Sequence, residues 1–149
     1  MSAAVLLDSE PLGLLSNPKP SARGIQCQQW LASMMAAGRR VLVPEVTDYE
    51  VRRELLRAQL TVSVKFLDLL ALQTEYLPLT TAAMRMAAAL WARARQQGRP
   101  TAPDHALDGD VILAAQALTL GTPNVVVATA NTIHLARYVP AELWENIAP

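Results

Sequence analysis

NVVVAT, residues 124–129, is the stretch of sequence that decides the fold. It is an unbroken run rich in β-branched residues, which is typical of a strand buried on both faces of a sheet. Shorter apolar runs with the same character are AAVLL (3–7), VLV (41–43) and EYLPL (75–79). Short buried strands that alternate with helices indicate a parallel sheet covered on both sides. The sequence therefore predicts a single three-layer α/β/α domain over residues 1–149, with a short central parallel sheet.

Apolar residues recur at helical spacing between these strands. The spacing predicts helices over residues 22–37, 45–58, 63–73, 81–97, 111–120 and 132–136. Ser21 and Thr80 or Thr81 are candidate N-caps, and Gly38 is a candidate stop signal. Two segments are predicted to lack helix, namely the turn-rich SEPLGLLSNPKPS (9–21) and the loop RPTAPDHALDGD (99–110).

Apolar stripes on three of the predicted helices are expected to face the core. The stripe on the helix over 22–37 contains Cys27, Leu31 and Met34. The stripe on the helix over 45–58 contains Val46, Tyr49 and Leu56, and the arginines of this helix are expected to point largely outward. The stripe on the long helix over 81–97 contains Met84, Ala88, Trp91 and Ala94 or Arg95. Each stripe follows the spacing of one helix face.

Composition narrows the class of protein. The 149 residues carry 13 Lys and Arg against 13 Asp and Glu, with 52% hydrophobic residues, which excludes a disordered chain. No apolar run is long enough for a membrane helix, and the acidic N-terminal stretch does not fit a signal peptide. The single cysteine, Cys27, excludes an internal disulfide and a Cys-rich zinc site. We therefore expect a cytoplasmic protein that does not bind a membrane.

The zero net charge argues at first against a nucleic-acid partner, because such proteins are usually basic. The basic residues are, however, 11 arginines and two lysines, and most of the arginines fall in two groups. The groups are Arg39, Arg40, Arg52, Arg53 and Arg57, and Arg85, Arg93, Arg95 and Arg99. Arginine binds phosphate through two parallel hydrogen bonds. Basic and acidic residues that are separated in space would permit salt-sensitive RNA binding.

Acidic and polar side chains follow the predicted strands. They are Asp8 after the first strand, Glu50 in the helix after the second, Asp108 and Asp110 before the helix at 111, and Thr129, Asn131 and His134 after NVVVAT. The carboxyl ends of parallel strands meet at one edge of the sheet, where ligands bind. Carboxylates crowded there repel one another, and a hard divalent cation relieves this repulsion. The pattern predicts a site for Mg²⁺ or Mn²⁺.

Structural explanations exist for the same residues and stay open at this point. Asp8 suits a turn, Thr47 with Glu50 has capping-box spacing, Asp108 or Asp110 suits an N-cap, and His134 suits a structural hydrogen bond.

Four stretches carry a family resemblance. They are VLLDSEPLGLL, VPEVTDYEVRREL, DGDVILAAQALTLG and VVVATANTIHL, in this order along the chain. Together they resemble the PIN-domain ribonucleases, most closely the VapC-type toxins of bacterial toxin–antitoxin pairs. The resemblance assigns metal binding to Asp8, Glu50 and Asp110, with Asp108 as an extra or outer-shell ligand. Thr129 and Asn131 match the T-x-N that follows the last strand of the family motif.

The fourth stretch departs from the family at one position. Many members carry an aspartate three residues after the asparagine, and this chain has His134 there. A neutral imidazole binds Mn²⁺, and an imidazole also suits contact with the scissile phosphate. The resemblance then implies one well-bound Mg²⁺ or Mn²⁺, with a second metal arriving only with RNA.

The function implied by the resemblance is metal-assisted hydrolysis of RNA phosphodiester bonds. Asn131 would orient the substrate or a ligand water, and His134 would assist at the phosphate. Arg52, Arg53 and Thr129 are the candidate RNA contacts. The resemblance also implies a homodimer and a small VapB-like antitoxin.

Two alternatives remain from the sequence. One is a catalytically degenerate PIN-like module that binds RNA or protein, which the histidine at position 134 suggests. The other is an α/β phosphatase with Asp8 as a covalent nucleophile and Glu10 as its second acid. The phosphatase reading lacks a Gly-rich phosphate loop and evident phosphate-binding Ser, Thr or Lys residues at the other strand ends.

Overall fold

The computed structural model describes residues 2–98 and 104–149 and places five strands in one sheet. The strands are β1 (Ala4–Leu7), β2 (Val41–Pro44), β3 (Glu75–Leu77), β4 (Val125–Ala128) and β5 (Ala141–Glu142). The helices are α1 (Ser9–Leu15), α2 (Ala22–Ala36), α3 (Glu45–Arg57), α4 (Thr61–Gln73), α5 (Thr81–Gln96), α6 (Asp104–Leu118) and α7 (Thr132–Leu135). A 3₁₀ turn over Trp144–Asn146 follows β5. None of the helices in the described ranges is both long and apolar enough to cross a membrane.

The sheet has the order β3-β2-β1-β4-β5, and all four pairings are parallel. Successive residues of each strand point to opposite faces. Leu6 and Val127 pack with α5 and α6 on one face, whereas Val5 and Val126 pack with α1, α2 and α4 on the other. The predicted three-layer α/β/α arrangement around a short parallel sheet is confirmed.

Helix α1 corrects the prediction of turns after the first strand. Asp8 is its N-cap, and one carboxylate oxygen accepts a hydrogen bond from the Ser9 amide at 2.7 Å. Pro11 is tolerated because amides in the first turn have no partner within the helix. Leu12 and Leu15 are buried. The Ser-Pro-Gly composition predicts turns here, but these two leucines provide the apolar face that a short helix needs.

Helix α6 corrects the prediction of a loop over 99–110. Residues 99–103 lie outside the described part of the chain, and the helix is already formed at Asp104. It therefore begins about two turns before the predicted start at residue 111. Asp108 and Asp110 lie within this helix and are not its N-caps. The intervening Gly109 is tolerated in a helix interior at a cost of about 1 kcal/mol.

The predicted stripe on α2 is confirmed, because Cys27, Leu31 and Met34 are all buried. The predicted stripes on α3 and α5 are wrong at most positions.

On α3, Tyr49 and Leu56 are exposed, and only Val46 of the predicted set is buried. On α5, Met84 and Trp91 are exposed at 46% and 37%. The buried residues of α5 are Ala83, Ala87, Leu90 and Ala94, of which only Ala94 belongs to the predicted stripe, as an alternative to Arg95. Small alanines let α5 approach α6 closely, which turns the buried face by one residue, or about 100°.

The strand β5 is absent from the sequence prediction. It is only two residues long, too short to show an apolar pattern. The Thr129 amide donates to the Glu142 carbonyl at 2.9 Å. The C-terminal segment thereby holds the end of β4, from which three predicted site residues follow.

Candidate active site

Asp8 is placed at the carboxyl end of the central strand β1. Its backbone amide donates to the Ala128 carbonyl at 2.9 Å, which continues the pairing with β4. One side-chain oxygen caps α1, and the other accepts from the Thr129 hydroxyl at 2.7 Å. Burial raises the pKa of Asp8, and the hydrogen bonds from Thr129 and Ser9 oppose this rise. Asp8 thus does cap a helix, and in this position its carboxylate is held at the strand ends.

The buried side chain of Thr129 makes its hydrogen bonds to other groups of the protein. It is 1% exposed, and its hydroxyl donates to Asp8 and accepts from the Asn131 amide at 2.8 Å. Both roles of the hydroxyl are therefore used by protein groups. This favours positioning of Asp8 over the predicted contact of Thr129 with RNA. The same hydrogen bond anchors Asn131, which is exposed at the start of α7.

Glu50 lies on α3 and reaches the surface of α6 at Gly109. A Cβ atom added to Gly109 would lie 3.1 Å from Glu50 Oε2. The capping-box explanation for Glu50 is wrong, because α3 begins at Glu45 and the Thr47 hydroxyl is buried without a hydrogen-bond partner. The Glu50 carboxylate therefore has no local helix-capping role.

Asp110 lies on α6, one residue beyond Gly109, and is half-buried. Burial raises its pKa to about 6, Asp8 contributes to the rise, and His134 and Arg137 oppose it. His134 on α7 is therefore close enough to act on Asp110. Arg137 was not predicted as a site residue; its only sequence signal is a basic side chain three residues after His134.

The three carboxylates of Asp8, Glu50 and Asp110 act on one another. Burial and then Asp8 are the largest causes that raise the pKa of Glu50; Asp110 adds to the rise and Arg53 opposes it. Asp8 likewise raises the pKa of Asp110. None of the ion pairs found within the described ranges includes any of the three. β1, α3 and α6 thus bring together three carboxylates that destabilise each other's charged forms.

The other acidic residues near the strand ends have structural partners. Glu10 binds Arg23 and the Trp144 indole, Glu45 accepts from the Leu79 amide, and Asp48 binds Arg52 and the Tyr76 hydroxyl. Asp108 is exposed, and two residues along a helix place it on a different side from Asp110. Asp108 is not among the groups that shift the pKa of Asp8, Glu50 or Asp110. The geometry therefore separates Asp108 from the carboxylate cluster.

Arginines of the first sequence group are mostly engaged by the protein itself. Arg40 pairs with Glu75, and Arg57 with Glu54. The candidate RNA contact Arg52 bridges Asp48 on α3 and Asp68 on α4, at 3.0 and 2.8 Å. Arg53 is exposed and joins none of the ion pairs within the described ranges. Of the two predicted RNA-binding arginines, Arg53 has the more available guanidinium.

The donor set of the carboxylate cluster fits a hard divalent cation. Three carboxylates supply oxygen ligands, and their mutual repulsion is the conflict that a cation relieves. The described ranges contain no group of three or more His, Cys, Asp or Glu side chains close enough to form a ready-made metal site. Mg²⁺ usually takes one or two protein carboxylates and completes its shell with water and phosphate oxygens.

Comparisons with known proteins identify relatives of the fold. A chain in the structure of VapBC2 from Rickettsia felis bound to a DNA fragment has a TM-score of 0.72 at 14% identity, over 95% of this chain and 98% of that one. VapBC-1 from nontypeable Haemophilus influenzae gives 0.70 at 18%, over 96% and 99%. DNA-bound VapBC from Salmonella typhimurium gives 0.55 at 20%, over 95% and 98%. No curated protein sequence matches the chain.

Similarity at these identities supports the fold, and a sequence-family match extends the assignment. The chain matches the PIN domain family over residues 6–139, which run from the second half of β1 to beyond β4 and include every site residue named above. The resemblance drawn from the four sequence stretches is thereby confirmed, and the chain belongs to the PIN domain family.

Proposed function

We propose that this PIN domain is a VapC-type toxin, a ribonuclease that hydrolyses RNA phosphodiester bonds with Mg²⁺ or Mn²⁺ and acts in the cytoplasm. The observation that carries the proposal is the meeting at the strand ends of Asp8, Glu50 and Asp110, none of which joins an ion pair within the described ranges. Carboxylates whose pKa values are raised by burial and by neighbouring carboxylates cluster at the functional sites of proteins. The family match and the VapBC neighbours support the same activity.

The metal-binding residues would be Asp8, Glu50 and Asp110, directly or through water. A bound Mg²⁺ or Mn²⁺ supplies a lowered pKa for the attacking water and neutralises charge at the phosphate. Thr129 and the Ser9 amide hold both oxygens of the Asp8 carboxylate in one orientation. Glu50 and Asp110 keep their oxygens free of ion pairs.

His134 and Asn131 would act on the substrate. His134 is half-buried beside Asp110, so its ring lies at the border of the carboxylate cluster and suits contact with a phosphate oxygen. Asn131 is exposed at the start of α7, where its amide group suits orientation of the RNA or of a ligand water.

The test is cleavage of labelled RNA in the presence of Mn²⁺ by the wild type, by Asp8→Asn and by Glu10→Gln. Glu10 is a matched control, because it is an acid two residues from Asp8 whose carboxylate is held by Arg23. We expect loss of cleavage in Asp8→Asn and near wild-type cleavage in Glu10→Gln, with chelation by EDTA abolishing both activities. Equal cleavage by the wild type and Asp8→Asn would show a contaminating nuclease. RNA binding without cleavage by the wild type would favour the degenerate binding module.

A homodimer is part of the proposal, and the exposed stripe of α5 supports it. Met84 and Trp91 lie on this stripe, and Arg95 stacks its guanidinium over the Trp91 ring at 4.9 Å. Met86 on the same helix is also exposed, and contiguous apolar surface of this kind suits a contact with another protein. A symmetric pair of α5 helices would bury both stripes against each other.

An antitoxin is the second proposed partner, in line with the VapBC neighbours. A groove of about 340 Å³ runs between α2 and α4 and is lined by Met35, Phe66 and Leu69, which are all partly exposed. An apolar segment of a small VapB-like protein suits this groove. Co-purification with the antitoxin should be lost in Phe66→Asp and kept in Lys65→Ala, a neighbouring change outside the groove lining. Retention of the complex by Phe66→Asp would exclude this surface.

A further inference from the structure

Tyr49 is an aromatic side chain on the surface of α3 that packing does not explain. It is 60% exposed and belongs to neither hydrophobic core. Arg53 lies one turn further along α3, and its guanidinium carbon is 5.1 Å from the centre of the Tyr49 ring. The two side chains therefore form a pair on an exposed part of α3, and none of the ion pairs within the described ranges includes Arg53.

This pair borders the carboxylate cluster. Arg53 lies three residues after Glu50 and four after Tyr49, which are the spacings of neighbours on a helix surface, so Arg53 links Tyr49 to Glu50. The charge of Arg53 acts on the Glu50 carboxylate and opposes the rise of its pKa that burial and Asp8 cause. A molecule bound at the carboxylates would therefore meet Tyr49 and Arg53 on the α3 side.

The Tyr49 ring and the Arg53 guanidinium together have the chemistry to bind one nucleotide. Aromatic rings and guanidinium groups bind single-stranded RNA by stacking on bases, and every base offers such a face. Arginine also binds phosphate through two hydrogen bonds. Bases within a duplex are already stacked on one another, so only an unpaired base can lie against an aromatic side chain.

We propose that Tyr49 and Arg53 form a platform for a nucleotide of single-stranded RNA next to the scissile bond. The Tyr49 ring stacks on the unpaired base, and Arg53 binds the phosphate that adjoins it. This inference rests on the proposed ribonuclease function and adds two side chains of α3 that bind the RNA beside the carboxylates. It also assigns a role to a tyrosine that the sequence pattern places in the core.

The first test measures binding of fluorescein-labelled single-stranded RNA in EDTA, so that no cleavage occurs. Tyr49→Leu and Tyr49→Ala should weaken binding by roughly 5- to 150-fold, as loss of one stacked base does, and Tyr49→Phe should bind like the wild type. Leu56→Ala is the matched control, because Leu56 is 58% exposed two turns along the same stripe. Equal affinity of Tyr49→Leu and the wild type would overturn the platform.

The second test uses RNA that carries 2-aminopurine, whose fluorescence falls when it stacks on an aromatic ring. The wild type and Tyr49→Phe should quench it, and Tyr49→Leu should not. Quenching that survives in Tyr49→Leu would exclude Tyr49 as the stacking group. For Arg53→Gln, the slope of log affinity against log salt should fall by about 0.7, the value for one phosphate contact on a single strand. An unchanged slope would exclude the phosphate contact.

Failure of the platform differs from failure of the proposed function. Wild-type RNA cleavage with unchanged binding in Tyr49→Leu would reject the platform alone. Equal cleavage by the wild type and Asp8→Asn would instead reject the ribonuclease, whatever the Tyr49 variants bind. Duplex RNA of the same sequence serves as a further control, and the Tyr49 variants should bind it like the wild type.

Discussion

Gly109→Ala is expected to raise the stability of the protein and to weaken its metal binding. Gly109 lies in the interior of α6, where alanine is favoured over glycine by about 1 kcal/mol. At this chain length, such a gain raises the Tm by about 3 °C. The new Cβ would lie 3.1 Å from Glu50 Oε2, which is tighter than an ordinary contact. Because that oxygen is the end of a flexible side chain, the carboxylate moves and the helix stays.

The direction of that movement decides the functional effect. Glu50 is pushed away from α6, and thus away from Asp110 and the shared metal position. Its release also relieves the repulsion by Asp8 and Asp110 in the metal-free protein. Changes that misplace a metal ligand typically lower metal affinity or activity by about 10- to 100-fold. We expect a loss in this range for Gly109→Ala.

The assay pairs urea unfolding in EDTA with titration of Mn²⁺ by calorimetry. Gly13→Ala is the matched control: Gly13 lies in α1, and a Cβ added there has no atom within 4 Å. It should gain similar stability and bind Mn²⁺ like the wild type. In a Glu50→Ala background, Gly109→Ala should no longer change the affinity. Wild-type Mn²⁺ affinity in Gly109→Ala would refute the reasoning.

Further variants test the remaining electrostatic and backbone arguments. The pKa of Asp110 is raised to about 6, so the native state binds the proton more tightly than the unfolded chain, and stability falls as pH rises from about 4 to 6. Asp110→Asn should remove this fall; in EDTA it should match the wild type near pH 4 and exceed it at pH 7.5 by about 1 kcal/mol in urea unfolding, because solvent screens the partly exposed carboxylate. His134→Asp should increase bound Mn²⁺ from one ion to two by calorimetry, because it replaces a side chain that favours the charged form of Asp110 with a fourth carboxylate, whose repulsion a second cation offsets. Gln59→Gly should stabilise the protein by about 1 kcal/mol in urea unfolding, because Gln59 has a φ of 58° at the end of α3. Trp91→Glu should convert the proposed dimer to a monomer by light scattering, and an unchanged mass would remove α5 from the interface.

The fold was largely predictable because its three central strands, β1, β2 and β4, are buried on both faces. Such strands appear as continuous apolar runs, so NVVVAT and VLV locate β4 and β2 without ambiguity. The helix α1 was not predictable from composition, because Ser, Pro, Gly and Asn favour turns in isolation. Its buried leucines stabilise it only through contact with the rest of the core. Local composition therefore fails where tertiary packing provides the stabilisation.

The buried face of α5 was predicted wrongly for a related reason. Alanine contributes little to an apolar pattern, so Met84 and Trp91 determined the predicted stripe. In the folded chain, the alanines face α6 because they allow close approach, and the larger side chains are left outside. Tyr49 on α3 is misassigned in the same way. Large apolar residues that the core does not need are candidates for contact with other molecules.

Only part of the candidate site could be predicted from short stretches of sequence. Sequence motifs located Asp8, Glu50 and Asp110, but spacing alone did not distinguish them from the equally acidic Glu10 and Asp48. The distinction depends on partners from distant segments, since Arg23 engages Glu10 and the Tyr76 hydroxyl engages Asp48. The sequence likewise does not show why position 109 has a glycine. The reason is the contact with Glu50, which forms only when α3 packs against α6.

The net charge of zero likewise does not show which basic side chains are available to bind RNA. Counting charges along the chain suggests a basic group around Arg52, but Arg52 is neutralised by Asp48 and Asp68. What the fold leaves available to RNA on α3 is the neighbouring Arg53, stacked on an exposed tyrosine. Selectivity for unpaired RNA would then arise from stacking at one position next to the carboxylates. A nuclease of this kind needs no overall positive charge, because the metal and a single arginine face the phosphates where the reaction occurs.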